Sequence, residues 1–228
     1  MLISAMVGID LISTLDMDAT IKGFELNEKN LLKILNEIIQ IDVDDNVSFE
    51  ITNIIPIREE ADYGGYRVTF KSKLDTIITL FKIDITTGDV IIPKEINYEF
   101  KPMFKEGKIN ILAYNLETII SEKYHSIITH GVRNTRARDF YDIYILNKFQ
   151  KNNYNDNLLK IAIKEKFISR NDGESLECLD KNINDIENSE ELKKIWEIYS
   201  NEYIYAKDIK FEDVLESVKQ IAKLIRNN

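Results

Sequence analysis

The fold class follows from two β-rich runs, Ser48-Phe-Glu-Ile-Thr-Asn-Ile-Ile-Pro-Ile57 and Tyr66-Arg-Val-Thr-Phe-Lys-Ser-Lys-Leu74. They flank Ala61-Asp-Tyr-Gly-Gly65, so the pattern predicts a hairpin closed by a glycine-containing loop. A third run covers Thr76–Thr86, and a further short strand is predicted around Leu15–Ile21. The first half of the chain is therefore expected to build a sheet.

After residue 110 the periodicity of apolar residues changes from strand-like to helical. Helices are predicted over Asn27–Ile39, from Asn115 to His125, and over Arg136–Lys148, Asn157–Ser169, Ser189–Tyr203 and Phe211–Arg226. We therefore expect an α+β protein, with a mixed-sheet core in residues 1–110 and a helical C-terminal domain in residues 111–228.

Composition excludes several classes of protein. The 228 residues are 44% hydrophobic, which is ordinary for a globular chain and too apolar for a disordered one. No apolar run is long enough to cross a membrane, and the apolar start lacks the basic segment of a signal peptide. The single cysteine, Cys178, cannot form an internal disulfide, so a cytoplasmic location is expected. The net charge of −9 argues against broad binding of nucleic acid and requires local positive charge for any RNA contact.

The first segment that could carry chemistry is Ser13-Thr-Leu-Asp16-Met-Asp18-Ala-Thr20. Residues i and i+2 of a strand point to the same face, so Asp16 and Asp18 would stand side by side. Two carboxylates this close suit a hard divalent cation, which could also bridge phosphates. The alternative is an exposed strand end, where Asp-x-Asp is common.

The second segment is Phe81-Lys82-Ile-Asp84-Ile-Thr86, in which Lys82 and Asp84 share one face of a strand. If this strand neighbours the Asp16 strand, Asp84 becomes a third carboxylate and Lys82 a phosphate contact. The alternative is an edge strand with a weak cross-strand ion pair.

The third segment contains Glu122-Lys123 and, further on, Arg133-Asn-Thr-Arg136-Ala-Arg138-Asp139-Phe-Tyr-Asp142. Three arginines within six residues are the strongest local positive charge in this acidic chain, and arginine binds phosphate in a bidentate manner. Helical spacing brings Arg138, Asp139 and Asp142 onto one face. The alternative is a helix start with a solvated salt-bridge face.

Aromatic and imidazole side chains receive other interpretations. The spacing of Trp196, Tyr199, Tyr203 and Tyr205 favours core packing over a base-stacking patch. His125 and His130 are five residues apart, which is not a helical ligand spacing, so neither is assigned a role.

The three segments occur together and in this order, and with them the chain resembles the AbiEii-type nucleotidyltransferase toxins of type IV toxin–antitoxin and abortive-infection systems. The matching stretches are Met6–Asp10, Leu15–Gly23, Phe81–Asp89, Tyr114–Lys123 and Arg136–Tyr144. The resemblance implies a fold similar to that of DNA polymerase β, followed by a helical domain. It also implies transfer of a nucleotide from a nucleoside triphosphate to an RNA 3′-hydroxyl, with transfer RNA as the expected acceptor.

Roles for individual residues follow from the same resemblance. In the family the Asp-x-Asp carboxylates hold Mg²⁺ beside the triphosphate, which places the metal on Asp16 and Asp18, with Asp84 as the third carboxylate. The implied catalytic residues are Asp16, Asp18, Asp84, Lys123 and Asp139. The implied nucleotide-binding residues are Lys82, Glu122, Arg136, Arg138 and Asp142. The implied partners are the triphosphate, the RNA and a cognate antitoxin that forms no tight complex, and no membrane is expected.

The chain departs from the family pattern at its start. Relatives carry a Gly-Gly or Gly-Ser pair roughly 15 residues before the Asp-x-Asp, where backbone N–H groups cradle phosphate. This sequence begins at about that point, Gly8 lies too close to Asp16 to replace the pair, and Ile12 stands where relatives have arginine. We therefore expect an N-terminally truncated member whose catalysis is weak or absent.

Two other functions compete with the nucleotidyltransferase. The first is a truncated, inactive homologue that binds nucleotide or antitoxin. The second is a metal-dependent nuclease that uses the same carboxylates, which would shorten RNA rather than lengthen it.

Overall fold

The computed structural model describes residues 2–8, 17–57, 64–102 and 106–226. The chain forms two compact units, one spanning Thr14–Asp89 and the other joining Leu2–Ser13 to Val90–Asn228. In chain order the elements of the described residues are α1 (Leu2–Val7), β1 (Met17–Ile21), α2 (Glu28–Ile39), β2 (Val47–Ile57), β3 (Gly65–Leu74), β4 (Ile77–Thr87), β5 (Ile96–Phe100), β6 (Ile109–Ala113), α3 (Leu116–His130), α4 (Ala137–Gln150), α5 (Asp156–Ser169), α6 (Gly173–Glu177), α7 (Leu179–Glu187), α8 (Glu190–Glu202) and α9 (Phe211–Arg226). A mixed sheet followed by helices confirms the α+β class, whereas the domain boundary near residue 110 stays a prediction.

The first unit contains a four-stranded sheet in the order β1-β4-β3-β2. β1 runs parallel to β4, and the other neighbouring strands are antiparallel. The predicted pairing of β2 with β3 is confirmed, although most of the loop that joins them, residues 58–63, lies outside the described residues. A two-residue turn, Asp75-Thr76, connects β3 to β4, and Asp75 takes the positive φ of 51° that tight hairpins require.

One face of this sheet is apolar and packs on α2. Alternation along β3 and β4 brings Val68, Phe70 and Ile85 to that face, where they join Leu31 and Leu35 of the helix in a buried cluster. The opposite face therefore receives the residues between them, which are mostly polar. The register between neighbouring strands then decides which of those polar residues lie side by side.

The second unit is mainly helical, with α3, α4, α5 and α9 around one buried apolar cluster. The predicted helices are found here with starts at or beside the predicted residues, and side chains cap the starts of α3, α5 and α8. The Asn115 side chain accepts a hydrogen bond from the Thr118 N–H at 2.8 Å, and Ser189 accepts one from the Leu192 N–H at 3.2 Å. Asn115 is therefore the N-cap of α3, and Ser189 is the N-cap of α8.

Five elements of this unit were not predicted, namely the six-residue helix α1, the strands β5 and β6, and the helices α6 and α7. β5 and β6 have five residues each, α6 has five and α7 has nine. Elements this short give too few repeats for a period to be read from the sequence. Within the described residues, no helix is both long enough and apolar enough to cross a membrane.

Candidate active site

The polar face of the first unit's sheet carries one group of charged residues, which we call the sheet cluster: Asp18, Arg67, Lys82 and Asp84. Asp18 of β1 is in register with Asp84 of β4, and Asp84 is in register with Arg67 of β3. Residues in register on neighbouring strands lie about 5 Å apart and point to the same face. The strand that carries Asp84 is thus the neighbour of the Asp-x-Asp strand, which was the condition for Asp84 to become a further carboxylate.

Arg67 holds the Asp84 carboxylate in a fixed orientation. Its Nε and one terminal nitrogen each donate a hydrogen bond to one Asp84 oxygen, both at 2.7 Å. This is the bidentate arrangement that matches a guanidinium group to a carboxylate. Because 43% of the Arg67 side chain and 23% of the Asp84 side chain remain accessible, water screens the pair and its net stabilisation is small. The ion pair therefore fixes the orientation of the Asp84 carboxylate but adds little to the stability of the fold.

Asp18 and Lys82 differ from Asp84 because both are exposed and neither is paired with a described side chain. Their charges are therefore available to a ligand. The other half of the Asp-x-Asp motif, Asp16, lies outside the described residues, so its predicted position beside Asp18 stays a prediction. The same holds for Ile12.

The residues present are compatible with the Mg²⁺ that the resemblance implies. Mg²⁺ in phosphoryl-transfer sites is held by one or two carboxylates together with substrate phosphates and water. Asp18 supplies one unpaired carboxylate on an open face, and Asp84 lies at the next position across the sheet. No group of three potential metal ligands occurs within the described ranges, so a protein-only cage is not formed by those residues.

A hydrogen-bonded threonine pair fixes the strands that carry the sheet cluster. Two residues beyond Asp18 and Asp84, Thr20 and Thr86 each donate a hydrogen bond to the same Asp89 oxygen, at 2.9 and 2.8 Å. The bonds join β1 to the turn that follows β4. They therefore hold the register that makes Asp18 and Asp84 neighbours.

A second group of charged residues lies in the helical unit, and we call it the helical cluster: Lys123 of α3 with Arg138, Asp139 and Asp142 of α4. The Lys123 ammonium is 2.8 Å from an oxygen of Asp139 and 2.8 Å from an oxygen of Asp142. Ser126, one turn further along α3, donates to the other Asp139 oxygen at 2.7 Å. The structure thus brings together the Glu-Lys and Arg-Asp-x-x-Asp segments that are far apart in the sequence.

Burial makes these charges strongly dependent on one another. The Asp139 and Asp142 side chains are 6% and 1% accessible. Burial acts to lower the pKa of Lys123, but the charges of Asp142 and Asp139 outweigh it, so that pKa is raised and the amine stays protonated. Burial raises the pKa of Asp142, against the lowering effect of Lys123 and Arg138. Neither Asp142 oxygen receives a well-directed hydrogen bond from a described residue, so the nearby charge of Lys123 is what compensates this buried carboxylate.

The arginines of the third segment surround the start of α4. Arg138 is half-buried, with its Nε 4.0 Å from Asp142. Arg136 occupies the residue before the helix, where its backbone N–H donates to the Asn134 side chain at 2.7 Å. Arg133 and Arg136 are exposed, and neither guanidinium pairs with a carboxylate among the described residues. Their positive charge is therefore open to solvent.

Glu122 has a partner that the sequence did not reveal. It forms an ion pair with Lys166 of α5, whose side chain is only 2% accessible. A buried ammonium needs a counter-ion, so this contact anchors Glu122 to α5. The predicted nucleotide-binding role of Glu122 stays a prediction. Its observed contact is with the protein core.

Sequence reasoning missed Arg67 of the sheet cluster and Lys166, the partner of Glu122. Arg67 could have been found, because the two-residue turn Asp75-Thr76 fixes a hairpin register in which residues 67 and 84 face each other. No feature of the sequence indicated that Lys166 would be buried beside Glu122. A lysine within an amphipathic helix is ordinarily exposed, and only the packing of α5 on α3 reveals its burial.

A family model described as nucleotidyl transferase AbiEii toxin, type IV TA system, matches residues 3–217. The chain also aligns with two crystal structures from Helicobacter pylori. One is of a protein assigned as a nucleotidyltransferase (19% identity, TM-score 0.45) and the other of JHP933 (18% identity, TM-score 0.43), each alignment covering 93% of this chain and 77% of the other. No curated protein sequence matches.

Proposed function

The chain belongs to the AbiEii family of nucleotidyltransferase toxins from type IV toxin–antitoxin systems, and from this premise we propose that it transfers a nucleotide from a nucleoside triphosphate to an RNA acceptor with the help of Mg²⁺. The observation that supports the proposal best is the register of Asp18 with Asp84 on neighbouring strands of one open sheet face. Transfer RNA is the acceptor we would test first. The family also implies an antitoxin as a partner of the toxin.

Asp18 of the sheet cluster would hold the metal together with Asp16, and Asp84 would be the third carboxylate beside it. Mg²⁺ bound there would neutralise charge on the phosphates during the in-line displacement. Lys82 points from the same face and is unpaired among the described residues, so we assign it a phosphate contact. Arg67 has a supporting part, because its bidentate hydrogen bonds orient the Asp84 carboxylate.

In the helical cluster, Lys123 is the central cation and its two carboxylates hold it in place. We assign Arg136 and Arg138 to nucleotide binding, since an arginine fork fits phosphate oxygens in a bidentate manner. Asp142 is only 1% accessible, so it would support nucleotide binding through the Lys123 ammonium rather than by touching the nucleotide. Asp139, which accepts from both Lys123 and Ser126, keeps the ammonium fixed.

The test is incorporation of labelled nucleotide into RNA by the purified full chain with Mg²⁺ and each nucleoside triphosphate in turn. Asp18→Ala should reduce the rate of labelling at least about a hundredfold, because a metal ligand contributes several kcal/mol to the stabilisation of the transition state. The fold should remain intact, since Asp18 is exposed and has no described partner. Asp185→Ala removes another exposed aspartate, on α7, that pairs with no described side chain; it is the matched control and should label like the parent protein.

Other outcomes of that test have distinct meanings. RNA that becomes shorter in a manner dependent on Asp18 would replace the transferase with a nuclease. Absence of any labelling, combined with nucleotide binding that Mg²⁺ strengthens, would indicate an inactive homologue that binds nucleotide or antitoxin. Labelling that survives Asp18→Ala unchanged would contradict the proposed site.

A further inference from the structure

Two tyrosines at the end of α8 form a half-exposed aromatic surface, which we call the tyrosine ledge: Tyr203 and Tyr205. The prediction that the four aromatic residues of this segment pack in the core is confirmed for Trp196 and Tyr199, which are 4% and 9% exposed. The prediction holds only in part for Tyr203 and Tyr205, which are partly exposed. The reason is that α8 ends at Glu202 and the chain continues as a short 3-10 turn. The change in helix geometry turns Tyr203 and Tyr205 partly out of the core.

The two rings of the ledge stack on each other, and Tyr205 packs on buried aromatic residues of the core. The ring centroids of Tyr203 and Tyr205 are 5.3 Å apart with an interplanar angle of 26°. Tyr205 rests on the buried ring of Tyr141 at 5.0 Å, and its hydroxyl is 3.2 Å from that of Tyr199. Rings held in this way lose little conformational freedom when a further flat group stacks on them. Ile204 between them is 88% exposed and extends the apolar surface.

The ledge adjoins the helical cluster and its positive charge. Tyr141, which supports Tyr205, immediately precedes Asp142 on α4, and Arg138 lies one turn earlier within 4.0 Å of Asp142. The charge of Arg138 reaches the ledge as well: Glu202 raises the pKa of Tyr203, and Arg138 acts in the opposite direction. The ledge therefore lies between the acidic Glu202, whose effect on Tyr203 is the larger, and the cationic Arg138, which is the group there that can contact a phosphate.

We propose that the tyrosine ledge stacks an unpaired base of single-stranded RNA, while the arginines before and within α4 contact its phosphates. Stacked aromatic rings beside arginines are the combination that binds single strands without reading their sequence. A duplex cannot use the ledge, because its bases are already stacked on one another. The assignment rests on the proposed function, since it gives the acceptor strand its place on the enzyme.

The test is fluorescence anisotropy of a labelled ten-nucleotide oligoadenylate titrated with the 228-residue chain. Tyr203→Ala should weaken binding about tenfold, the effect of losing one base–aromatic stack. Tyr203→Phe should bind within about twofold of the parent protein, because the ring face is retained. Tyr203→Leu keeps apolar packing on the core but lacks an aromatic face, so it should lose as much as Tyr203→Ala and remain folded if the alanine variant does not.

A matched control is Phe149→Ala, which removes an aromatic ring that is 50% exposed on α4. It should leave binding unchanged. The proposal would be overturned if Tyr203→Leu bound like the parent protein, or if Tyr203→Phe lost as much as Tyr203→Ala. It would also fail if an RNA duplex competed as well as the single strand.

Failure of the ledge and failure of the proposed function give different results. If RNA labelling is observed and Tyr203→Leu still binds oligoadenylate normally, the transferase stands and the ledge does not. If no labelling is observed but binding depends on Tyr203, the ledge is a single-strand site in a protein with another activity.

Discussion

The ammonium group of Lys123 is the partner on which two buried carboxylates depend. It lies 2.8 Å from oxygens of both Asp139 and Asp142, and Asp142 receives no well-directed hydrogen bond from the described residues. Removing one member of such a cluster leaves uncompensated charge in a place that water reaches poorly. The residue is thus expected to matter for stability as well as for nucleotide transfer.

Lys123→Met should lower the free energy of unfolding by about 3–5 kcal/mol near pH 8. Burial raises the folded-state pKa of Asp142 above its unfolded value, so the folded protein binds the proton more tightly. That contribution is complete below the unfolded pKa, about 3.9, and is lost as pH rises through the folded pKa. Without Lys123 the folded pKa rises further, so the variant should lose less stability at pH 5 than at pH 8.

Urea unfolding of the parent protein and the variant at the two pH values measures this difference. Lys148→Met, which removes an exposed lysine from α4, should change stability by less than about 0.5 kcal/mol at either pH. An equal loss for Lys123→Met at pH 5 and pH 8 would show that Asp142 does not titrate in this range.

At the scale of elements, the β3–β4 hairpin decides where Asp84 lies. The turn Asp75-Thr76 fixes the register, and the same register places Gly65 opposite Thr86. A Cβ atom at Gly65 would lie 2.8 Å from the Ile85 carbonyl oxygen and 2.9 Å from a Thr86 methyl carbon. The close approach of the two strands therefore requires glycine at this position.

Gly65→Ala should cost about 1–3 kcal/mol of unfolding free energy, because the strands must move apart to accept the methyl group. Since Thr86 is two residues from Asp84, nucleotide transfer should also fall. Gly64→Ala is the control: a Cβ there meets no atom within 4 Å, and its φ is not in the left-handed region. Thermal unfolding and the labelling assay should be run on both variants. Equal stability and equal labelling of Gly65→Ala and Gly64→Ala would contradict the steric argument.

For the whole molecule, the charge balance limits how RNA can bind. With 39 acidic and 30 basic side chains, most of the surface repels phosphate, so contacts must be confined to Arg133, Arg136 and Arg138 and their surroundings. Binding through a few phosphate contacts depends on salt less steeply than binding by a basic protein.

The logarithm of the oligoadenylate association constant should fall with the logarithm of salt concentration with a slope of about −2, from about 0.7 for each of three phosphate contacts. Arg136→Ala should make the slope shallower by about 0.7. Lys164→Ala removes an exposed lysine of α5 that has no ion-pair partner within the described ranges, so it should leave the slope unchanged. A slope steeper than about −5 in the parent protein would mean that RNA contacts a far larger surface.

Several parts of the fold could be predicted because their signals are local. The strands β2, β3 and β4 and the helices with Asn115 and Ser189 at their starts follow from alternation, from the 3.6-residue period and from capping side chains, each of which involves residues near in sequence. The short β5–β6 hairpin and the helices α6 and α7 escaped prediction because five to nine residues show no clear period.

The sequence by itself determined the α+β class, the membership of its motifs in one family and the residue types available for phosphate chemistry. Only the tertiary structure decided their neighbours: Arg67 on Asp84, Lys166 on Glu122, and Lys123 between Asp139 and Asp142. The reason is physical. Secondary structure depends on interactions within a few residues, whereas an ion pair depends on strand register and helix packing, which bring together residues separated by 16 to 44 positions.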